Sequence, residues 1–113
     1  MLAKKNKLPT RKLKYTLKKG DLSYSKFFVI RKTDSNEEKK HFTTIVSKKI
    51  SKKAVTRNKL RRQIFEAIRL NLESAELQQT IFIPKRNISN ATFQEIEHDI
   101  KQFLNKKTNG QSK

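Results

Sequence analysis

The chain has 113 residues and a formal net charge of +18, with 28 Lys and Arg residues against 10 Asp and Glu. That length is typical of one domain with a single modest core, and the charge implies a self-repulsion that a polyanionic partner would relieve. The absence of cysteine excludes disulfides and thiolate metal sites and is typical of a cytoplasmic protein. Because no apolar run is long enough to span a bilayer, we expect no membrane partner.

Three segments have the apolar spacing of a helix. Leu13 and Leu17 at i, i+4 predict a short first helix. The second helix is predicted over residues 52–72, and its apolar face contains Leu60, Ile64, Ala67, Ile68 and Asn71. Thr92 and Glu95 form a capping-box pattern that predicts the start of a last amphipathic helix.

Three other segments are predicted to be strands. Residues 26–33 are rich in aromatic and β-branched types, with Phe28 and Ile30 on one face. Residues 41–47 alternate again after a polar turn, so we expect these two strands to form a hairpin. A third strand over residues 80–83 ends at a proline.

This order of elements predicts the α+β class, a small single-domain sandwich in which helices pack on one sheet. The order is α-β-β-α-β-α, with room for one further strand before the central helix. We expect residues 1–104 to form the domain and residues 105–113 to be a polar, disordered tail.

The central part of the chain is strongly basic. No acidic residue occurs between Lys39 and Phe65, and eight of the eighteen residues from Ile45 to Arg62 are Lys or Arg. Apolar residues are spaced among them as a strand and then a helix require, which a disordered basic tail would not need. The segment therefore predicts folded structure that carries a concentrated positive surface for a polyanion.

Side chains that could perform chemistry are few. The two histidines, His41 and His98, are predicted on a strand edge and on a solvent-facing helix surface, so we expect no metal site and no catalytic residue on the protein. Glu95, Glu97 and Asp99 are predicted to form a solvated charge pattern on the last helix. Binding is therefore the chemistry that the sequence favours.

The order of residues in the basic segment resembles a family signature. The segment contains the strand end Val46-Ser47-Lys48-Lys49 and then, on the predicted helix, Ala54-Val55-x-Arg57-Asn58-x-x-Arg61-Arg62. This pattern closely resembles that of the bacterial ribonuclease P protein subunit, in which a Val-Ser-Lys-Lys strand end leads to Ala-Val-x-Arg-Asn-Arg-x-Lys-Arg. Weaker matches flank it, among them Phe28-Val29-Ile30.

The resemblance implies a ribonucleoprotein endoribonuclease of which this chain is the non-catalytic protein subunit. Its partners would be the catalytic ribonuclease P RNA and the 5′ leader of precursor tRNA, with no further protein required. The RNA, with Mg²⁺ bound mainly to itself, would hydrolyse the phosphodiester between leader and tRNA, while the protein supplies positioning and positive charge. The resemblance also implies a left-handed crossover between parallel strands, against the general rule.

The resemblance further assigns two surfaces. The first would bind the catalytic RNA and consists of Lys48, Lys49, Lys53, Arg57, Asn58, Lys59, Arg61 and Arg62. The second would hold the single-stranded leader where the first helix meets the sheet, through Leu13, Leu17, Phe28, Ile30, Arg31 and Lys85. A groove with apolar and basic walls can hold a strand without strict sequence preference.

Several positions differ from the family pattern. Lys59 stands where the family has Arg, and Phe65 stands where an Arg is usual. Leu13 and Leu17 replace two aromatic residues, and Arg31 replaces another. If those aromatics normally stack on the substrate, their loss weakens the contact by roughly 1–3 kcal/mol per base.

Other functions are compatible with the composition. A basic RNA-scaffolding protein of ribosomal type would have the same charge and size, and only the motif favours ribonuclease P over it. A DNA-binding module is less favoured because no helix-turn-helix spacing is present. An independent nuclease is the least favoured, and it would cleave precursor tRNA without any added RNA.

Overall fold

The computed structural model describes residues 6–8, 10–34, 40–74 and 78–104. Within them lie three α-helices and four β-strands, in the mixed order that the sequence predicts. Short 3₁₀ helices span Leu72–Ser74 and Arg86–Asn90. In chain order the elements are α1 (Thr10–Lys19), β1 (Asp21–Tyr24), β2 (Phe28–Asp34), β3 (His41–Thr44), α2 (Ala54–Leu70), β4 (Gln78–Pro84) and α3 (Phe93–Leu104).

The four strands form one sheet in the order β1-β2-β4-β3. β2 is antiparallel to both β1 and β4, whereas β3 is parallel to β4. Since α2 connects β3 to β4, the two parallel strands and this helix form a β-α-β unit, as the family resemblance implies. The hand of that crossover stays a prediction.

The predicted hairpin between residues 26–33 and 41–47 is wrong. β4 lies between β2 and β3, and the hairpin of this sheet joins β1 to β2 through residues 25–27. Strand alternation reports which side chains share a face, but it does not identify the neighbouring strand. β4 is one of the two interior strands, and Ile81 and Phe82, on its opposite faces, are both fully buried.

The main core lies between the sheet and the pair α2 and α3. Phe28 and Phe82 meet edge to face with ring centroids 5.3 Å apart, and Phe103 of α3 meets Phe82 at 5.7 Å. The predicted apolar face of α2 is confirmed, because its buried residues are Leu60, Ile64, Phe65, Ala67 and Ile68. Asn71 extends that face by donating from its side-chain amide to the Ala67 carbonyl at 2.9 Å.

The opposite face of the sheet packs against α1. Ile81 is fully buried there although it is outside the core that α2 and α3 form. Its partner across the sheet is Arg31, so Arg31 shares this face. α1 passes into β1 at Gly20, where an added Cβ would collide with the Thr16 carbonyl oxygen and lie 3.1 Å from the Lys32 carbonyl oxygen.

The start of α3 is confirmed as a capping box. The Thr92 N–H donates to Glu95 Oε1 at 2.9 Å, and the Glu95 N–H donates to Thr92 Oγ1 at 3.2 Å. The solvated position predicted for Asp99 is wrong, because this residue is 7% exposed and its carboxylate accepts from the backbone N–H of Phe27 at 2.9 Å. A helical wheel could not reveal that the β1–β2 turn covers this part of α3.

Two other expectations concern the chain as a whole. Among the described residues, no helix is both long enough and apolar enough to cross a membrane. The tail predicted over residues 105–113 lies outside the described residues.

Candidate nucleic-acid interface

The predicted basic residues lie on the loop 47–53 and on the first turns of α2. Lys48, Lys49 and Lys53 are exposed on the loop, and Lys53 is the N-cap residue of α2 in an extended conformation. The helix has no acidic residue in its first turn and no side-chain hydrogen bond at its cap. The positive end of the helix dipole therefore adds to the charge of the lysines.

Arg57 holds the loop against the helix. Its Nη1 donates to the carbonyl oxygens of Ser51 at 3.0 Å and Lys52 at 2.9 Å. The side chain is half-buried, which agrees with the position at the apolar margin that the helical period predicts. Arg57 thereby fixes the backbone that carries the neighbouring lysines.

Asn58 orients Arg61. The Asn58 side-chain oxygen accepts from Arg61 Nη1 at 2.5 Å, one helical turn further on. Both residues line an open groove of about 350 Å³ together with Arg62, Lys7 and Phe65. The Lys7 ammonium lies 5.4 Å from the centre of the Phe65 ring, so an aromatic ring holds a lysine at this groove.

The positive charge of this surface is not neutralised within the described part of the chain. None of its Lys or Arg residues forms an ion pair with a described carboxylate. The ion pair that the structure shows lies near the other end of α2, where Arg69 contacts Glu66 at 2.5 Å. That contact lowers the pKa of Glu66 to about 2 and raises the pKa of Arg69. Within the described residues, the charge of the basic surface is therefore not offset by a carboxylate, as a site for a polyanion requires.

The residues predicted for the second surface do not all lie on one side of the sheet. Phe28 and Ile30 are 0% exposed in the core under α2 and α3, so a ligand cannot contact them in this structure. The reason is the two-residue period of a strand: Arg31 points to the α1 face, and its neighbours Ile30 and Lys32 must point away from it. Leu13, Leu17 and Lys85 are half-buried and partly accessible.

Three residues that sequence reasoning missed lie on the α1 face. Val29 pairs with Tyr24 of β1 and with Ile83 of β4, so the three side chains form a row across the sheet. Val29 and Ile83 are half-buried and Tyr24 is exposed. The two-residue period of a strand contains the signal for these residues. If Arg31 faces the groove predicted for the leader, Val29 must face it as well and Ile30 must face away.

The described residues contain no group of three or more His, Asp or Glu side chains that could hold a metal ion. His41 is buried on β3, and His98 is exposed on α3.

Comparison with known proteins identifies the family. A family model described as Ribonuclease P matches residues 2–108 of the chain. The chain belongs to this family. It is 34% identical over 89 residues to the ribonuclease P protein component of Clostridioides difficile (strain 630), a match that covers 77% of each protein. It is also 39% identical over 61 residues to the ribonuclease P protein component of Rickettsia bellii (strain RML369-C), covering 52% of this chain and 51% of that protein. This match therefore spans about half the length of the Rickettsia protein.

Solved structures show the same fold. The RNase P protein from Thermotoga maritima superposes with a TM-score of 0.79 at 22% identity, covering 88% of this chain and 96% of that one. The Staphylococcus aureus RNase P protein gives a TM-score of 0.75 at 23% identity, covering 86% and 89%. These similarities confirm the α+β class with one sheet and packed helices.

Proposed function

We propose that this protein is the protein subunit of ribonuclease P, which binds the catalytic RNA and the 5′ leader of precursor tRNA and assists removal of the leader. One structural observation carries the proposal: the cluster of Lys and Arg at the start of α2, which forms no ion pair with a carboxylate of the described residues and in which two arginines are already held in place. Membership in the Ribonuclease P family connects that cluster to this enzyme.

The basic surface suits the phosphates of a folded RNA. Arg61, oriented by Asn58, presents a planar guanidinium that can bond two phosphate oxygens at once. The exposed lysines of the loop 47–53 add point charges around it. Each phosphate contact releases counterions. A plot of the logarithm of the binding constant against the logarithm of salt concentration should therefore have a slope of about −1 per phosphate contact.

The α1 face of the sheet suits a single strand of RNA. The half-buried side chains of Val29 and Ile83 form an apolar surface, called here the floor of the groove, and Arg31 adds a positive charge beside it. Leu13 and Leu17 lie on α1, which packs over the same face. Apolar surface for base faces, combined with basic groups for phosphates, can hold a leader of any sequence.

The chemical step belongs to the RNA in this proposal. Mg²⁺ bound to the RNA would supply the activated water for hydrolysis, and the described protein residues offer no metal-ligand cluster of their own. The protein raises the local positive potential and positions the leader, which lowers the Mg²⁺ concentration that the RNA requires. We expect it to do so in the cytoplasm.

Reconstitution tests the proposal. The purified protein, a bacterial ribonuclease P RNA and a 5′-extended precursor tRNA are combined at a Mg²⁺ concentration too low for the RNA alone. Cleavage at the mature 5′ end should require both components. Cleavage by the protein alone would indicate an independent nuclease. Salt-dependent RNA binding without cleavage, for several types of catalytic RNA, would indicate an RNA-scaffolding protein instead.

The basic surface is tested in the same assay with Arg61→Ala, Arg62→Ala and the double variant. The expected defect is larger at low Mg²⁺ than at high Mg²⁺, because added cations replace lost positive charge. Arg69→Ala removes an arginine from the same helix that already contacts Glu66, so it should leave cleavage unchanged. Equal defects at both Mg²⁺ concentrations would contradict the electrostatic role.

A further inference from the structure

The β1–β2 turn, residues 25–27, is fixed by the segment that follows β4. The Lys85 N–H donates to the Phe27 carbonyl at 2.7 Å, and Lys85 Nζ donates to the Ser25 carbonyl at 2.6 Å. The Asn87 side-chain amide donates to the Lys26 carbonyl at 3.0 Å. All three carbonyl oxygens of the turn are therefore bonded from this side.

The N–H groups of the same turn are also bonded. Lys26 and Phe27 both donate to the buried carboxylate of Asp99, and the Ser25 N–H donates to the Phe28 carbonyl at 2.9 Å. A turn in which every backbone polar group has a partner loses little further conformational freedom when a ligand binds. It is a rigid support for the residue that precedes it.

That residue is Tyr24, which is 61% exposed. So much exposure means that its ring contributes little burial to the fold. The register places Tyr24 in the row with Val29 and Ile83, on the floor proposed for the leader. The Lys85 ammonium lies 5.7 Å from the centre of the Tyr24 ring, so an aromatic ring and a cation lie next to each other at the end of this floor.

We propose that Tyr24 and Lys85 form a stacking subsite for one unpaired base of the leader RNA, an inference that rests on the proposed function. The exposed ring surface offers a platform for the face of a base. The ammonium of Lys85 has three donors and uses one on the Ser25 carbonyl, which leaves two for the phosphate beside that base. Stacking tolerates any base, so the subsite positions the leader without reading its sequence.

The composition of the proposed groove favours this position for stacking. Its other partly accessible members are aliphatic or basic: Leu13, Leu17, Val29, Arg31 and Ile83. Tyr24 therefore supplies the aromatic ring of that set. An aromatic ring on a fixed turn also needs little side-chain ordering, because only two torsion angles are involved.

The test measures stacking directly at each leader position. Precursor tRNAs, made uncleavable at the scissile phosphate, carry the fluorescent base 2-aminopurine at one leader position at a time and are bound to the reconstituted holoenzyme. We expect one position to be quenched on binding. Tyr24→Ala should abolish that quenching and weaken leader-dependent affinity about fivefold to tenfold, the lower part of the range for one stacked base. Tyr24→Phe should keep both.

Tyr15→Ala is the matched control, because Tyr15 is a tyrosine of α1 with nearly the same exposure, 60%. It should leave the quenched position unchanged. The inference is overturned if no leader position is quenched or if the quenching survives in Tyr24→Ala. Either result leaves the proposed function intact, provided that the holoenzyme still cleaves a normal precursor.

A second arm separates the two hypotheses. If reconstitution gives no cleavage, the proposed function fails, and the labelled leader is then bound as a free oligonucleotide to the protein alone. Quenching that Tyr24→Ala removes would still establish the stacking subsite. Absence of quenching, or quenching independent of Tyr24, would reject it. Urea unfolding of Tyr24→Ala shows that the variant is folded, since a ring this exposed should contribute little to stability.

Discussion

The Asp99 carboxylate, near the middle of α3, accepts a hydrogen bond of 2.9 Å from the backbone N–H of Phe27, 72 positions away in the chain. It also accepts from the Ser25 hydroxyl at 2.7 Å and from the Lys26 N–H at 3.2 Å. A residue of the last helix thus sets the position of the turn that connects β1 to β2. Through that turn it also fixes where Tyr24 lies.

Asp99→Ala should lower the free energy of unfolding by about 2–3 kcal/mol. The substitution leaves two backbone N–H groups and one hydroxyl without their acceptor, and hydrogen bonds to a charged acceptor are stronger than neutral ones. Urea unfolding with an unchanged m-value measures the loss. His98→Ala is the matched control, because this neighbouring side chain is exposed and should change stability by less than about 0.5 kcal/mol. A similar small change for Asp99→Ala would mean that the turn is held without its carboxylate.

The position of Asp99 shows where prediction from local sequence patterns ends. The apolar face of α2 and the capping box of α3 are local patterns, and the structure confirms both. Whether an acidic residue on a helix is solvated depends on what packs over it, which no local pattern contains. The wrong hairpin has the same origin, because the neighbour of a strand is decided by the whole sheet.

In the candidate interface, too, some positions could be predicted from the sequence and others could not. The basic residues at the start of α2 could be identified from the sequence, since exposure is the default state of Lys and Arg. The surface proposed for the leader agrees with the sequence prediction only in part, because that prediction groups Phe28, Ile30 and Arg31 although a strand places neighbours on opposite faces. The sequence does not predict β1 as a named strand, because Asp21–Tyr24 is only four residues long and mostly exposed.

Arg57 should contribute to RNA binding both by its charge and by holding the loop 47–53. Arg57→Ala removes the hydrogen bonds to the Ser51 and Lys52 carbonyls as well as a cation, so affinity for the catalytic RNA should fall. The slope of the logarithm of the binding constant against the logarithm of salt concentration should become shallower by about one unit. Arg57→Lys keeps the charge but not the planar fork, so it should keep the salt dependence and still lose affinity. Titrations of labelled RNA at several salt concentrations measure both quantities. If Arg57→Lys binds as tightly as the unchanged protein, the loop contact has no part in binding.

The carboxyl of Glu66 should titrate far below its usual range. The hydrogen bond from Arg69 lowers its pKa from 4.5 to about 2, so the folded state prefers the charged form more strongly than the unfolded state does. The stabilisation from this group is therefore present above about pH 4.5 and is lost as the pH falls towards 2. Carbon-13 NMR titration of the Glu66 carboxyl measures the midpoint. Arg69→Gln should move it upward, and a midpoint near 4.5 in the unchanged protein would contradict the contact.

Arg31 and Lys32 test which face of the sheet holds the leader. They are neighbours on β2, but Arg31 shares the α1 face with Ile81, whereas Lys32 lies over the Phe103 ring of α3 with its ammonium 5.3 Å from the ring centre. Arg31→Glu and Lys32→Glu change the net charge equally, so any long-range electrostatic effect on RNA binding should be the same for both. Arg31→Glu should additionally weaken holoenzyme binding of precursors with long leaders by about tenfold, because a carboxylate would face the leader phosphates at close range. Binding of mature tRNA, which has no leader, should respond equally to the two substitutions. If Lys32→Glu weakens leader binding as much as Arg31→Glu does, the α1 face is not the leader site.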